Sequence, residues 1–342
     1  MSHDAFRLLK EIGEVKGSLR IFLNGRKLFK NWLMSLTIAT LSYIGFMKRD
    51  CIPVKCVNGC VDEIPFMAFV RLLYAQDKGV VKSYYCCKGV VEVVNGALVP
   101  IEEVANGDVY ALIAPLRGWR YDATKGVWLK HGVKFKHMYY SIIEIFDDDA
   151  YGVVDCRGRD VVDVGAFVGD SAIYFALRGA RRIIALEPHP KAYQELLDNI
   201  KLNDLEQKVI PLNAALSSTS SMINISSEDV DTASIAKSPL KVFTNPRRTR
   251  TYNVKAITLS DVVKLYDVSN GVLKMDCEGC EYDVIMHDLE HIALFDELIF
   301  EYHVNVTGKP ISVLLKILSR YFNCKIVSGN NVQGIVHCVR KS

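Results

Sequence analysis

From residue 151 onward, short apolar runs alternate with segments whose apolar positions recur at helical spacing. The runs predict strands at 161–164, 183–187, 209–213, 272–276 and 297–302, and the amphipathic segments predict helices at 171–178, 190–202, 279–287 and 310–321. The final apolar pair, 324–327 and 335–339, reads as a hairpin turning around Gly329-Asn330-Asn331. Strands that alternate with helices and end in a hairpin imply an α/β, doubly wound, mostly parallel sheet with an antiparallel last strand. Upstream the pattern is less regular. Residues 5–47 read as helical, 52–57 as a strand turning at Asn58-Gly59, 65–76 as a helix, and 80–85 and 90–94 as strands. The chain therefore divides into a smaller α+β region, 1–150, and an α/β domain, 151–342. The boundary is placed at 148–152, beside a solvated Asp147-Asp148-Asp149 loop.

Chemistry concentrates where the first strand of the second domain ends. Val161, Val162 and Val164 run into Gly165 and Gly169, a helix capped by Asp170 or Ser171 follows, and the next strand leads to Glu187-Pro188. Strand, glycine turn, helix, strand and acidic residue is the layout of a nucleoside-binding βαβ unit. Phe167 stands where a dinucleotide site needs its second glycine for approach to a pyrophosphate, which argues against NAD or FAD. No P-loop sequence occurs. A nucleoside without a pyrophosphate remains, with Glu187 accepting from its ribose hydroxyls, and S-adenosylmethionine fits that description. Gly165 and Gly169 would bring backbone N–H groups near its carboxylate, while Asp163 could accept from its ammonium group.

The ordered set of motifs resembles the FkbM family of SAM-dependent methyltransferases. It comprises Asp163 to Asp170 (DVGAFVGD), Glu187-Pro188, Asn213-Ala214-Ala215, Leu273 to Glu281 (LKMDCEGCE) and Glu301-Tyr302-His303. The resemblance covers roughly 155–305 and implies a Rossmann-like class I fold and an S-adenosylmethionine cofactor. The cofactor would be held by Asp163, Gly165, Phe167, Gly169, Asp170, Ser171, Glu187, Pro188, Asn213 and Ala214, with Asn213 and Ala214 at the adenine. Two departures stand out: Phe167 replaces a frequent Asn, and Cys277 and Cys280 replace small apolar residues. The family's place in glycan and natural-product pathways implies a hydroxylated small molecule or sugar as acceptor. A nitrogen acceptor and a non-catalytic nucleoside-binding module are the alternatives.

Methyl transfer from a sulfonium needs donor, methyl carbon and acceptor in line, and a hydroxyl acceptor must also lose its proton. Asp276 and Glu278 at the end of the fourth strand, and His303 at the end of the fifth, are the candidates for that work. Glu281 is expected to cap the 279–287 helix, and Tyr302 to sit in the core. No metal site is expected. Cys51, Cys56, Cys60, Cys86 and Cys87 lack the spacing of paired zinc ligands, and a redox role for Cys277 and Cys280 is not expected.

Composition narrows the partners. The 342 residues carry a net charge of +3, too little to point to nucleic acid. Ten cysteines in a chain of this length are too sparse for a secreted disulfide scaffold. The charged start (His3, Asp4, Arg7, Lys10, Glu11) lacks the apolar core of a signal peptide, so a reducing cytoplasm is expected. Residues 32–47 carry no charge, but the run is short and polar-interrupted for a bilayer. It reads as a helix packed on the catalytic domain rather than a membrane contact. Lys241, Arg247, Arg248 and Arg250 read as a solvated loop, with recognition of an anionic acceptor as the alternative. The sequence does not fix an oligomeric state.

Overall fold

The computed structural model describes residues 23, 25–43, 46–47, 49–57, 59–227 and 250–341. These fall into two compact units, one of residues up to 140 and one of 141–227 with 250–341. The division lies ahead of the 148–152 boundary expected, at the start of the helix Tyr140–Phe146.

The N-terminal unit is built from small antiparallel sheets and short helices. Strand Cys51–Lys55 pairs with Val61–Pro65, Val81–Tyr85 with Val90–Val93 and then Leu98–Pro100, and Val127–Lys130 lies between Arg120–Asp122 and Val133–Phe135. The helix Phe66–Asp77 buries Phe69, Val70, Leu72 and Leu73, while Arg71, also buried, donates to the carbonyls of Val104 and Ala105. Trp119, Trp128 and Phe135 fill the interior beside the third sheet. Residues 32–47 give a helix over Trp32–Tyr43. It is tied to the neighbouring strand within its own unit, because Ser35 and Asn31 donate to the Pro53 carbonyl. Among the described residues, no helix is long and apolar enough to cross a membrane. The expected Asn58-Gly59 turn lies partly outside the described residues, as do most of residues 5–24.

In the C-terminal unit the apolar runs become a seven-stranded sheet. Its strands are β1 (Asp160–Val164), β2 (Arg182–Leu186), β3 (Val209–Leu212), β4 (Val272–Met275), β5 (Glu297–His303), β6 (Phe322–Gly329) and β7 (Gln333–Arg340). The order across the sheet is β3-β2-β1-β4-β5-β7-β6. The pairs β3/β2, β2/β1, β1/β4 and β4/β5 are parallel, and β7 runs antiparallel to both β5 and β6. β1 and β4 are buried at every residue, which is why both are mostly apolar without alternating, interrupted by Asp160, Asp163 and Lys274. Val162, Val164, Ile184, Leu186, Leu273, Met275, Leu298 and Phe300 meet in one core. Helices α1 (Asp170–Leu177), α2 (Pro190–Leu202), α3 (Leu259–Tyr266), α4 (Cys280–His287) and α5 (Ile311–Leu318) connect these strands. Between β3 and β4 the chain forms a separate small sheet from Ala215–Leu216, Arg250–Ile257 and Ser221–Ser227. Lys241, Arg247 and Arg248 lie outside the described residues, and Arg250 opens a strand.

The cysteines depart from expectation. Cys56–Cys86, Cys60–Cys87, Cys277–Cys280 and Cys324–Cys338 are disulfide-bonded, leaving Cys51 and Cys156 as thiols. Four of the residues weighed as zinc ligands thus pair with one another. Cys324 and Cys338 face each other across β6 and β7.

Candidate active site at the carboxyl edge of the sheet

The site begins with a close approach between β1 and β4. Gly165 leaves β1 with φ +74, and a Cβ placed there would lie 1.9 Å from the Asp276 carbonyl oxygen. Glycine is required twice over, by the left-handed backbone and by the neighbouring strand. At Gly169 (φ +88) a Cβ would meet the Leu196 side chain at 2.7 Å. Gly169, rather than Asp170 or Ser171, is the N-cap of α1.

A buried lysine locks this approach. Lys274 on β4 lies directly across from Asp163 on β1. Its Nζ is 2.9 Å from Asp163 Oδ1 and donates to the Gly165 carbonyl at 2.8 Å. Burial pulls the ammonium pKa down, but the carboxylates of Asp163, Asp276 and Asp170 overcome this and hold it above the ordinary lysine value. Ser171 Oγ donates to the other Asp163 oxygen at 2.7 Å. Asp170 accepts from the Ser171 N–H, and burial pushes its carboxyl up to about 6. The side chains of Asp163, Asp170 and Ser171 therefore turn inward. Lys274 needs a counter-charge inside the sheet, and Asp163 supplies it.

Glu187 follows β2 and is buried, with one carboxylate oxygen accepting from Phe167 N at 2.8 Å and the other from His189 N at 2.7 Å. Burial outweighs these donors and raises the carboxyl to about 7. Each oxygen keeps a lone pair for a further donor. Asn213 Nδ2 donates to the carbonyls of Glu187 and Pro188, fixing the loop rather than projecting away from it. Ala214 is buried beside it, and Pro188 is half-buried. Phe167 is itself buried and holds a left-handed φ of 47°. His189 caps α2 through Nδ1 and packs edge-on against Tyr252, with ring centroids 4.9 Å apart. These features fit the adenosyl ribose of S-adenosylmethionine: an immobilised buried carboxylate at the strand edge, able to accept from two hydroxyls.

The acceptor-side candidates converge. Asp276 is the first residue past β4, half-buried, with the Tyr151 hydroxyl 3.5 Å from its carboxylate. His303 ends β5, fully buried, with Nε2 3.8 Å from Glu278 and 3.6 Å from Glu301. Glu278 occupies the turn before α4 with φ 56° and is one-third exposed. Glu281 accepts from the Cys277 and Gly279 N–H groups at 2.6 and 2.8 Å, so it holds the turn at the head of α4, and burial raises its carboxyl to about 7. Tyr302 is a core residue whose hydroxyl donates to the Asn330 carbonyl. The sequence reading missed Lys274, Tyr151 and Glu301. The alternation of β5 was the signal for Glu301, since it puts residues 301 and 303 on one face.

Residues 163–312 match the methyltransferase FkbM domain. A curated relative, the methyltransferase sdnD of Sordaria araneosa, is 26% identical over 46% of this chain and 72% of its own length. A methyltransferase FkbM from Methylobacillus flagellatus superposes with a TM-score of 0.39 at 13% identity, covering 55% of this chain and 45% of that one. This chain thus spans less than half of that structure. M. jannaschii TYW2 in complex with AdoMet gives a TM-score of 0.35 at 16% identity, over 63% of this chain and 86% of that one. Likenesses this distant carry no weight for the reaction, whereas the domain match runs from the end of β1 through β5 and takes in Asp163 to His303, with Tyr151 outside it. Residues 163–312, 150 of the chain's 342, are thus where it is similar to a methyltransferase FkbM domain.

Proposed function

We propose that the chain is an S-adenosylmethionine-dependent methyltransferase whose acceptor is a hydroxyl oxygen of a sugar, glycan or other small molecule. The observation that carries the proposal is Glu187: a buried carboxylate at the end of β2, oriented by the N–H groups of Phe167 and His189 inside the FkbM domain. Bound S-adenosylmethionine would supply an electrophilic methyl group on its sulfonium. Glu187 would accept from the ribose hydroxyls, and Asn213 would hold the Glu187-Pro188 loop in place. Gly165 and Gly169 would let the backbone approach the methionine end. Phe167 and Ala214 would border the nucleoside.

At the acceptor side, the incoming oxygen forms its bond to carbon as the carbon–sulfur bond breaks, and that electron pair stays on sulfur. The hydroxyl proton passes to Asp276, Glu278 or His303, which lie together beside the ends of β4 and β5. Much of the rate would come from alignment of the two substrates, and proton removal typically contributes about 10²–10⁴-fold. The test is calorimetric titration with S-adenosylhomocysteine, wild type beside Glu187→Ala. Wild-type binding that weakens about tenfold or more in the variant supports the reading. A folded wild type that binds no S-adenosylhomocysteine overturns it.

A further inference from the structure

The ends of β4 and β5 bring together more than a proton acceptor. Parallel pairing sets Met275 opposite Phe300, so Asp276 emerges beside Glu301, and His303 lies two residues further along β5 on the same face. One donor atom from each of Asp276, Glu301 and His303 lies within 4.8 Å of the other two. His303 Nε2 and Glu301 Oε1 are 3.6 Å apart, between the separations of about 3.0 Å for neighbouring and about 4.2 Å for opposite ligands around one ion with bonds of about 2.1 Å. Glu301 and His303 are buried at 4% and 0% exposure, whereas Asp276 is half-buried. Two carboxylates and an imidazole at the ends of adjacent strands, with Glu301 and His303 shielded from solvent, differ in kind from an acidic surface cluster.

The local charge points the same way. The carboxylates of Asp276, Glu278 and Glu301 gather around His303, and the Tyr151 hydroxyl approaches Asp276. Lys274, the cation of the adjoining strand, is committed to Asp163 and to the Gly165 carbonyl. A buried carboxylate pair needs positive charge or protons.

We propose that Asp276, Glu301 and His303 form a binding site for a divalent cation of the Mn²⁺ class. Carboxylate oxygens suit Mg²⁺ and Mn²⁺, and the imidazole shifts the preference towards Mn²⁺. With three protein ligands, further coordination positions remain for water or for acceptor oxygens, and Asp276 lies on the more open side. Resting on the methyltransferase reading, this gives the ion the task of holding a hydroxylated acceptor and leaves Glu278 to take its proton. An acceptor with two neighbouring oxygens, such as a vicinal diol, suits such a site best.

The test is titration of chelator-stripped protein with Mn²⁺, followed by the paramagnetic resonance signal of the free ion. It is run on wild type, Glu301→Gln and Asp276→Asn, with S-adenosylhomocysteine binding measured on each. Wild type is expected to take up one Mn²⁺ per chain, and both variants to bind it at least about tenfold more weakly. Their S-adenosylhomocysteine affinity should stay within about threefold of wild type, a check that they are folded. No uptake at millimolar Mn²⁺ by wild type that binds S-adenosylhomocysteine overturns the proposal, as does uptake unchanged in both variants. Ligand-dependent Mn²⁺ uptake without nucleotide binding would leave the cation site standing while the methyl-donor reading falls.

Discussion

Replacing Lys274 with methionine removes one charge from the middle of the sheet while keeping the length of the side chain. Lys274 is 2% exposed, its partner Asp163 is 0% exposed, and the two are 2.9 Å apart. At an effective dielectric of about 20 that separation corresponds to an attraction of roughly 6 kcal/mol, much of it offset by the cost of desolvating both groups. Taking away one partner leaves a buried carboxylate with only the Ser171 hydroxyl, so the expected loss is about 3–5 kcal/mol. That figure already includes the lost hydrogen bond to the Gly165 carbonyl. With a urea slope of about 2 kcal/mol/M, the unfolding midpoint should fall by roughly 2 M. Far-UV circular dichroism is the suitable probe, because Trp32, Trp119 and Trp128 all lie in the N-terminal unit and their fluorescence does not report on this sheet. The double variant Asp163→Asn/Lys274→Met should recover part of the loss, with a coupling of at least about 2 kcal/mol. A single-variant loss below about 1 kcal/mol, or additive effects in the cycle, would refute the view that this ion pair holds β1 against β4.

The raised carboxyl of Glu187 gives cofactor binding a defined pH dependence. With a folded value of about 7 against an ordinary 4.5, the folded state binds the extra proton between those limits, so this group's contribution to unliganded stability falls as pH rises from about 4.5 to about 7. Ribose hydroxyls donate best to the ionised form. S-adenosylhomocysteine affinity should therefore weaken up to about tenfold from pH 8 to pH 6 in calorimetry. Glu187→Gln should bind weakly with no such slope, and a flat wild-type profile would contradict the assignment; Lys274 and Asp163 are the charged neighbours that tune it. The disulfides make a separate prediction: thiol titration of the denatured, unreduced protein should find only Cys51 and Cys156, and reduction should expose the other eight. Ten thiols without reductant would restore the reduced state expected of a cytoplasmic chain.

The strands of the seven-stranded sheet were legible because burial on both sides writes itself as runs rich in Val, Ile and Leu, and their ends came within a residue or two. The glycine turn and Glu187 were legible for a local reason, since both follow directly from the end of a strand. Lys274 was not. It sits inside a quoted motif, but only the register of β4 against β1, more than a hundred residues away in sequence, shows that it faces Asp163. Ser171 on α1 then donates to the same Asp163 carboxylate. Glu301 was passed over because His303 drew the attention that both deserved as same-face neighbours. The disulfides were hidden by combinatorics: partners 27 and 30 residues apart follow no spacing rule, and eight cysteines allow 105 pairings.

The place of β7 bears on how this sheet is made. It is the last of the seven strands in chain order, yet it inserts between β5 and β6, bonded to both. As the chain leaves the ribosome, β5 can pair with β4 but must wait with its other edge bare, and β6 has no partner in the sheet until β7 arrives. An open strand edge is a template for wrong partners, and here it belongs to the strand that carries Glu301 and His303. The nucleoside side of the domain, made by β1 to β3, can assemble early, whereas the acceptor side is completed only by the final hairpin. Any arrest or cleavage ahead of β7 would leave an intact β1 to β3 edge, proposed here to hold the nucleoside, beside an unfinished, association-prone edge at β5.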